Sequence, residues 1–246
     1  MQRIEVLGCP MDVASMSETV EAIRTAVADR RFTQHVVVNV AKLVNMRKDP
    51  QLKESVQCCD IINIDGMGVV LGARFLGHVV PERVAGVDLF HELLSMSESA
   101  GFPVFLLGAK EDVLAQAVRK VQSQNPRLKI AGFHHGYFWD DEAAMVQTIR
   151  ASGARLLFVA ITSPKKENFI NRWRDELGVD FVMGVGGTFD VVAGKVKRAP
   201  QWMQNWGLEW LYRVIQEPGR MWRRYLTTNC SFAWLLCSQK LKQLFR

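Results

Sequence analysis

The chain reads as an open α/β protein whose sheet is mostly parallel, with helices on both faces. Three observations point there. Short apolar runs alternate with amphipathic stretches, as in strand–helix–strand repeats with right-handed crossovers. The strand candidates "QHVVVNV", "PVFLLGA" and "ARLLFVAIT" are continuous apolar runs rather than strict alternators, as expected of strands buried on both faces. After "KVKRAP" the alternation stops, and residues 195–246 carry only helical spacing.

Taken in order, "RIEVLG" is the first strand candidate. "SETVEAIRTAVADRR" is a helix with Ser17 as its N-cap. "QHVVVNV" is a strand ending at Asn39, and "CDIINI" a strand ending at Asp65. "GVDLFHELLSMSESAG" is a helix closed by Gly101. Strand "PVFLLGA", helix "EDVLAQAVRKVQSQN", strand "LKIAGFHHGYF" and helix "DDEAAMVQTIRASG" follow. Strand "ARLLFVAIT", helix "SPKKENFINRWRDELG" and strand "DFVMGVGG" complete the alternation. The expected division is a catalytic core over 1–194 and a basic, helical C-terminal appendage of two or three helices over 195–246.

Bulk properties narrow the class. The chain has 246 residues, 48% hydrophobic and 23% charged, which suits a folded chain with a sizeable core. Its net charge of +6 is uneven. Residues 195–246 contain ten Lys or Arg and two Glu, a net +8, which leaves −2 for the remainder. Five of the seven tryptophans, Trp202, Trp206, Trp210, Trp222 and Trp234, lie in the same stretch. Cations beside large aromatics fit an anionic surface with an apolar layer beneath, and nucleic acid is the competing partner. Five scattered cysteines without a C-x-x-C pair read as a reducing, cytosolic chain. No signal-peptide pattern opens the sequence, and "FAWLLC" is too short to span a bilayer.

In an open parallel sheet ligands bind beyond the carboxyl ends of the strands. Asn39, Asp65, Gly108, Thr162 and Gly186 all fall there. Asp65 in "NIDGMG" is either a general base, with Gly66 and Gly68 admitting a substrate close to the backbone, or a turn or N-cap aspartate. "GVGGTFDVVAG" offers amides at Gly186 and Gly187 for a phosphate but lacks the G-x-G-x-x-G spacing of a dinucleotide fingerprint. Asp190 there could bind a base or ribose, or cap a helix. In "SPKKENF", Lys165 and Lys166 could neutralise a diphosphate or be plain surface lysines. Arg83 could clamp a phosphate or pair with Glu82 or Asp88. His134 and His135 have no companions at metal-ligand spacing, so no metal site is expected. Arg213, Arg220, Arg223 and Arg224 recur in the tail beside Trp206, Trp210, Leu211 and Ile215.

The motifs "NIDGMGVV", "ERVAGVDLF", "VFLLGAKEDV", "HHGYF", "TSPKKENFI" and "GVGGTFDVVAGKVKRAPQWMQNWGLEWLYRVIQEPGRMWRRY", in this order, resemble the WecG/TagA/CpsF family of bacterial glycosyltransferases from about Glu5 to Tyr225. The resemblance implies a Rossmann-like core and an inverting, metal-independent transferase without a cofactor. It would move N-acetylmannosamine, N-acetylmannosaminuronate or glucose from a UDP-sugar to an undecaprenyl-diphosphate-linked acceptor in cell-surface polysaccharide synthesis. The expected location is peripheral, on the cytoplasmic face of the inner membrane. The expected partners are the donor, the lipid-linked acceptor and the anionic membrane surface, with homo-oligomers open and nucleic acid not expected.

By this resemblance Asp65 is the base, and Arg83 and Asn39 complete the catalytic set. Gly66, Gly68, Lys166, Gly186, Gly187, Thr188, Asp190, Arg213, Arg220 and Arg224 are the substrate-binding candidates. Two departures stand out: Lys166 occupies a position that is Gln in many members, and Val37 one that is Thr in some. The rival readings are an NAD-dependent oxidoreductase on a Rossmann-like fold and a non-catalytic module that binds anionic surfaces.

Overall fold

A computed structural model describes residues 1–245, without the side chains of Asn205, Arg220, Arg224 and Leu244. The chain starts with a hairpin, β1 (Gln2–Val6) and β2 (Cys9–Val13), then α1 (Met16–Ala28) and β3 (Thr33–Val38). Two short helices, α2 (Val40–Met46) and α3 (Pro50–Gln57), lead to β4 (Ile61–Ile64). Next come α4 (Met67–Phe75), α5 (Gly86–Ala100), β5 (Val104–Gly108), α6 (Glu111–Gln124) and β6 (Ile130–His134). The core ends with α7 (Glu142–Ala151), β7 (Leu156–Ala160), α8 (Lys165–Trp173), β8 (Phe181–Gly184) and α9 (Thr188–Val192). The tail forms α10 (Gln201–Asn205), α11 (Glu209–Gln216) and the long α12 (Pro218–Leu244).

The eight strands form one sheet in the order β1-β2-β4-β3-β8-β7-β5-β6. Only β1 and β2 pair antiparallel; the other neighbours are parallel. This is the mostly parallel α/β sheet the apolar runs predict. Successive strand residues serve opposite faces, as the period of two requires. In β5, Val104 and Leu106 join α1, α5 and α6, whereas Phe105 and Leu107 join α7 and α8. On the latter face, at the other end of the sheet, Val36, Val38, Ile62 and Ile64 pack with α2, α3 and α4.

One local reading needs correction, and two features had no sequence signal. The N-cap of α1 is Ser15, not Ser17: Glu18 N–H donates to Ser15 Oγ, and Ser15 N–H donates to Glu18 Oε2 at 2.8 Å, a capping box. The strand β2 breaks the continuous-apolar pattern with Pro10 and Asp12. Asp12 is nevertheless buried, accepting from the Arg3 guanidinium and from Ile62 N–H, each at 2.8 Å. The helices α2, α3 and α4 are too short to declare a period, although Asn39 and Asp49 cap the first two by accepting from Lys42 N–H and Leu52 N–H at 3.0 Å.

The tail is not held at arm's length. Phe232, Leu235 and Leu236 of α12 belong to the same buried cluster as β1–β4 and α2–α4. A Cβ added at Gly72 would lie 2.7 Å from Phe232 Cζ, so α4 and α12 meet where only glycine fits. Polar ties join the two parts as well: Lys195 to Asp112, Arg198 to Asp88, and Leu7 N–H to Gln239 Oε1 at 3.1 Å.

Candidate active site

The carboxyl ends of the parallel strands share one edge, and Asn39 after β3, Asp65 after β4 and Gly186 after β8 stand along it. The backbone of Asp65 is fixed by its N–H donating to Val38 O at 2.9 Å. The next residue, Gly66, has φ +98, a conformation that side chains rarely adopt, and a Cβ there would meet nothing within 4 Å. A turn of this shape opens space directly beside the carboxylate. Asp65 does not cap α4. The cap position is Gly66, and no side chain bonds to the first turn.

Arg83 comes from the segment that returns along β4, where Val84 N–H donates to Ile64 O at 2.9 Å. Its guanidinium contacts neither Glu82 nor Asp88. It donates to Glu209 Oε2 at 3.2 Å and to Gln204 Oε1 at 3.4 Å, both in the tail. Glu209 Oε1 lies 3.5 Å from Arg213, one turn further along α11. Core and tail thus close an alternating set of charges around Asp65. Burial and the facing Glu209 raise the Asp65 pKa above the usual aspartate value; Arg83, Arg213 and Lys42 pull it back. The carboxylate thus feels the charge of both guanidinium groups as well as that of Glu209.

Several candidates take different places. Lys166 does not line the edge: it is 6% exposed, and its Nζ lies 2.7 Å from Glu167 Oε1, with Lys42 Nζ 2.8 Å from the same oxygen. Its stem packs on Gly184, where a Cβ would fall 2.8 Å from Lys166 Cε. Its ammonium is engaged by Glu167, and it is not a surface lysine. Burial, with Lys42 close by, lowers its pKa to about 8. Glu167 is held down at about 2: burial pushes upward, and the two ammonium groups outweigh it. The nitrogens approach at angles that leave both Glu167 oxygens without a proper hydrogen bond, so the triad is ionic and carries a net positive charge under the sheet edge.

Thr188 is likewise turned inward. It is buried, and its hydroxyl donates to Val185 O at 2.7 Å. Gly68 serves packing, since a Cβ would come 2.8 Å from Val40 Cγ2. Asn39 spends its side-chain oxygen on the α2 cap. Gly186 and Gly187 do present open backbone, but Asp190 Oδ2 lies 3.9 Å from where a Gly187 Cβ would stand. A carboxylate there opposes a phosphate and suits a hydroxyl or ring N–H. The side chains of Arg220 and Arg224 lie outside the described residues.

Glu209, Gln204, Lys42 and Glu167 were not singled out in the sequence. For Glu209 the signal was its i,i+4 spacing to Arg213 within "GLEWLYR"; the others had none. Among the described residues, no three of His, Cys, Asp or Glu are grouped so as to hold a metal ion, and no helix is long and apolar enough to cross a membrane.

Comparison with known proteins fits this arrangement. Over 198 residues the chain is 38% identical to an N-acetylglucosaminyldiphosphoundecaprenol N-acetyl-beta-D-mannosaminyltransferase of Bacillus subtilis (strain 168), covering 80% of this chain and 77% of the relative. Residues 4–246 match the model of the glycosyl transferase WecG/TagA/CpsF family, which takes in the sheet edge, Arg83 and the tail that closes over them. This chain is a glycosyltransferase and belongs to the WecG/TagA/CpsF family.

Proposed function

We propose that the protein transfers N-acetylmannosamine from its UDP conjugate to an undecaprenyl-diphosphate-linked acceptor, by a single displacement that inverts the anomeric centre. The observation that carries this reading is Asp65 at the carboxyl edge of the sheet, under the charge of the linked Arg83, Glu209 and Arg213 supplied jointly by core and tail. The relative's acceptor and sugar favour the same pair of substrates.

In this reading the acceptor hydroxyl attacks the anomeric carbon as its proton passes to Asp65. The new C–O bond forms while the bond from that carbon to the β-phosphate oxygen breaks, and the electron pair leaves with UDP. Such a base contributes on the order of 10² to 10⁴-fold. Developing negative charge on the diphosphate is met by Arg83 and Arg213, without a divalent ion, while Gly186 and Gly187 admit the nucleoside beside Asp190. Arg220 and Arg224 are assigned to the same charge or to the lipid diphosphate. Asp190 is assigned to the nucleoside. The net positive triad of Lys42, Glu167 and Lys166 favours an anionic leaving group from below. With Lys166 buried, its replacement of a glutamine bears on this field rather than on direct contact with the sugar.

The basic tail holds the enzyme at the cytoplasmic face of the inner membrane, each cation near an anionic surface adding about 1 kcal/mol. A donor screen tests the reading. UDP-N-acetylmannosamine, UDP-N-acetylmannosaminuronate and UDP-glucose are offered with the lipid-diphosphate acceptor, and the anomeric configuration of the product is read by NMR. Transfer from UDP-N-acetylmannosamine with inversion, insensitive to EDTA and abolished by Asp65→Asn, is the expected outcome. Retention of configuration, or full turnover in Asp65→Asn, overturns it.

A further inference from the structure

The apolar surface of the tail continues onto the catalytic core. Helix α4 starts at Gly66, next to Asp65, and its inner side is closed by Phe232 and Leu236 of α12 packing on Gly72. Its outer side carries Leu71 and Phe75, one turn apart and 59% and 49% exposed, and the following loop presents Val79 at 85%. Lys240 Nζ of α12 sits 5.8 Å from the centre of the Phe75 ring, and further round α12 Trp234 and Leu241 are exposed, as is Phe245 just past its end. Exposed apolar groups gathered on α4 and the loop after it, with a cation of α12 against one of them, mark an interaction site.

Charge identifies the occupant. Residues 66–81, which include α4, contain no Asp or Glu, and neither do residues 218–246, which include α12. The second segment carries six Lys or Arg, and the first adds Arg74. A second copy of the chain docking on this face would set like charges against each other. An anionic bilayer satisfies both features, apolar side chains entering the acyl boundary and cations meeting the headgroups.

We propose that α4 is a membrane-inserting element of the catalytic core, with Leu71, Phe75 and Val79 entering the bilayer surface alongside α12. The proposal rests on the lipid-linked acceptor only for its purpose. Because α4 begins beside Asp65, a rise of 1.5 Å per residue sets Leu71 about 9 Å and Phe75 about 15 Å from the acid along the helix axis. Insertion of α4 therefore holds the base close to the bilayer surface, where an acceptor diphosphate must lie.

The test uses the full chain and sedimentation with vesicles of phosphatidylglycerol and phosphatidylcholine. The variant Leu71→Gln/Phe75→Gln is expected to partition at least ten-fold less than wild type, with Val79→Gln showing a smaller loss that does not depend on any change within a helix. Phe133→Gln, an exposed aromatic on β6, is expected to bind as wild type. Transfer to a short-chain acceptor in detergent is expected to be unchanged in all three. Vesicle binding equal to wild type in both the double variant and Val79→Gln overturns the proposal. So does a fall in sedimentation mass in the double variant, relative to wild type, without vesicles, which would assign the face to a second copy. If wild type binds vesicles but transfers to no acceptor, the transferase reading falls and the surface assignment stands.

Discussion

Phe232→Ala isolates how far the tail belongs to the core. Phe232 is 7% exposed and packs against Gly72 of α4 inside the cluster that includes β1–β4. Truncating a buried Phe costs about 3–5 kcal/mol, and a site near the surface that can partly collapse belongs at the lower end, about 3 kcal/mol. In a domain of this size each kcal/mol moves the midpoint by about 2–4 °C, so the expected fall in Tm is about 6–12 °C. Trp234, two residues on, is 69% exposed; Trp234→Ala is expected to shift Tm by less than about 1 °C and to weaken vesicle binding instead. The assay is thermal unfolding followed by circular dichroism on the full chain, with both variants measured in one buffer. Equal Tm values for Phe232→Ala and wild type would refute the docking of α12. The same reasoning makes deletion of residues after about 195 a blunt test of membrane targeting, because it uncovers the apolar faces of α2 and α4 along with removing the cations.

Two further outcomes follow from the charges. As a base Asp65 must be ionised, so kcat/KM rises with pH through its raised pKa. Arg83 lowers that pKa and Glu209 raises it. Arg83→Gln is therefore expected to move the acid limb to higher pH and Glu209→Gln to lower pH; superimposable limbs would remove Asp65 from the role. Glu167→Gln leaves Lys42 and Lys166 buried without a counter-charge, and a loss of about 3–5 kcal/mol is expected in urea unfolding at pH 7. In wild type the Glu167 pairing is at full strength above its ordinary pKa of 4.5 and is lost as pH falls toward about 2. Lys166 has the same sign of pH dependence. Its folded pKa of about 8 lies below the ordinary 10.5, so its contribution improves as pH rises between the two. A variant as stable as wild type at pH 7 would contradict the triad.

Where side chains pack on both faces of a sheet, the sequence spells it out in continuous apolar runs, and β3, β4, β5, β7 and β8 were legible for that reason. Helices of three or four turns with an apolar stripe, such as α5 and α6, were equally plain. Strand β2, between β1 and β4, was hidden because Pro10 and Asp12 break its apolar run, and Asp12 is accommodated there only by hydrogen bonds from Arg3 and from Ile62 N–H. At the site, Asp65 and Arg83 could be named from motif and strand-end position. Their partners could not, because Glu209 and Gln204 lie more than a hundred residues away in sequence.

The sequence by itself determined the layered α/β architecture, the placing of an acid and glycine pair beyond a strand, and the concentration of cations and tryptophans in one stretch. These follow from local chemistry: burial on two faces writes apolar runs, tight turns require glycine, and charge is additive along a chain. Tertiary structure alone decided which charges meet. It drew Lys166 inward to Glu167, turned the Thr188 hydroxyl to a backbone carbonyl, and sealed α12 against α4 through Gly72. The reason is physical: an ion pair or a packed ring depends on three-dimensional distance, and distance across a sheet edge bears no relation to separation in sequence.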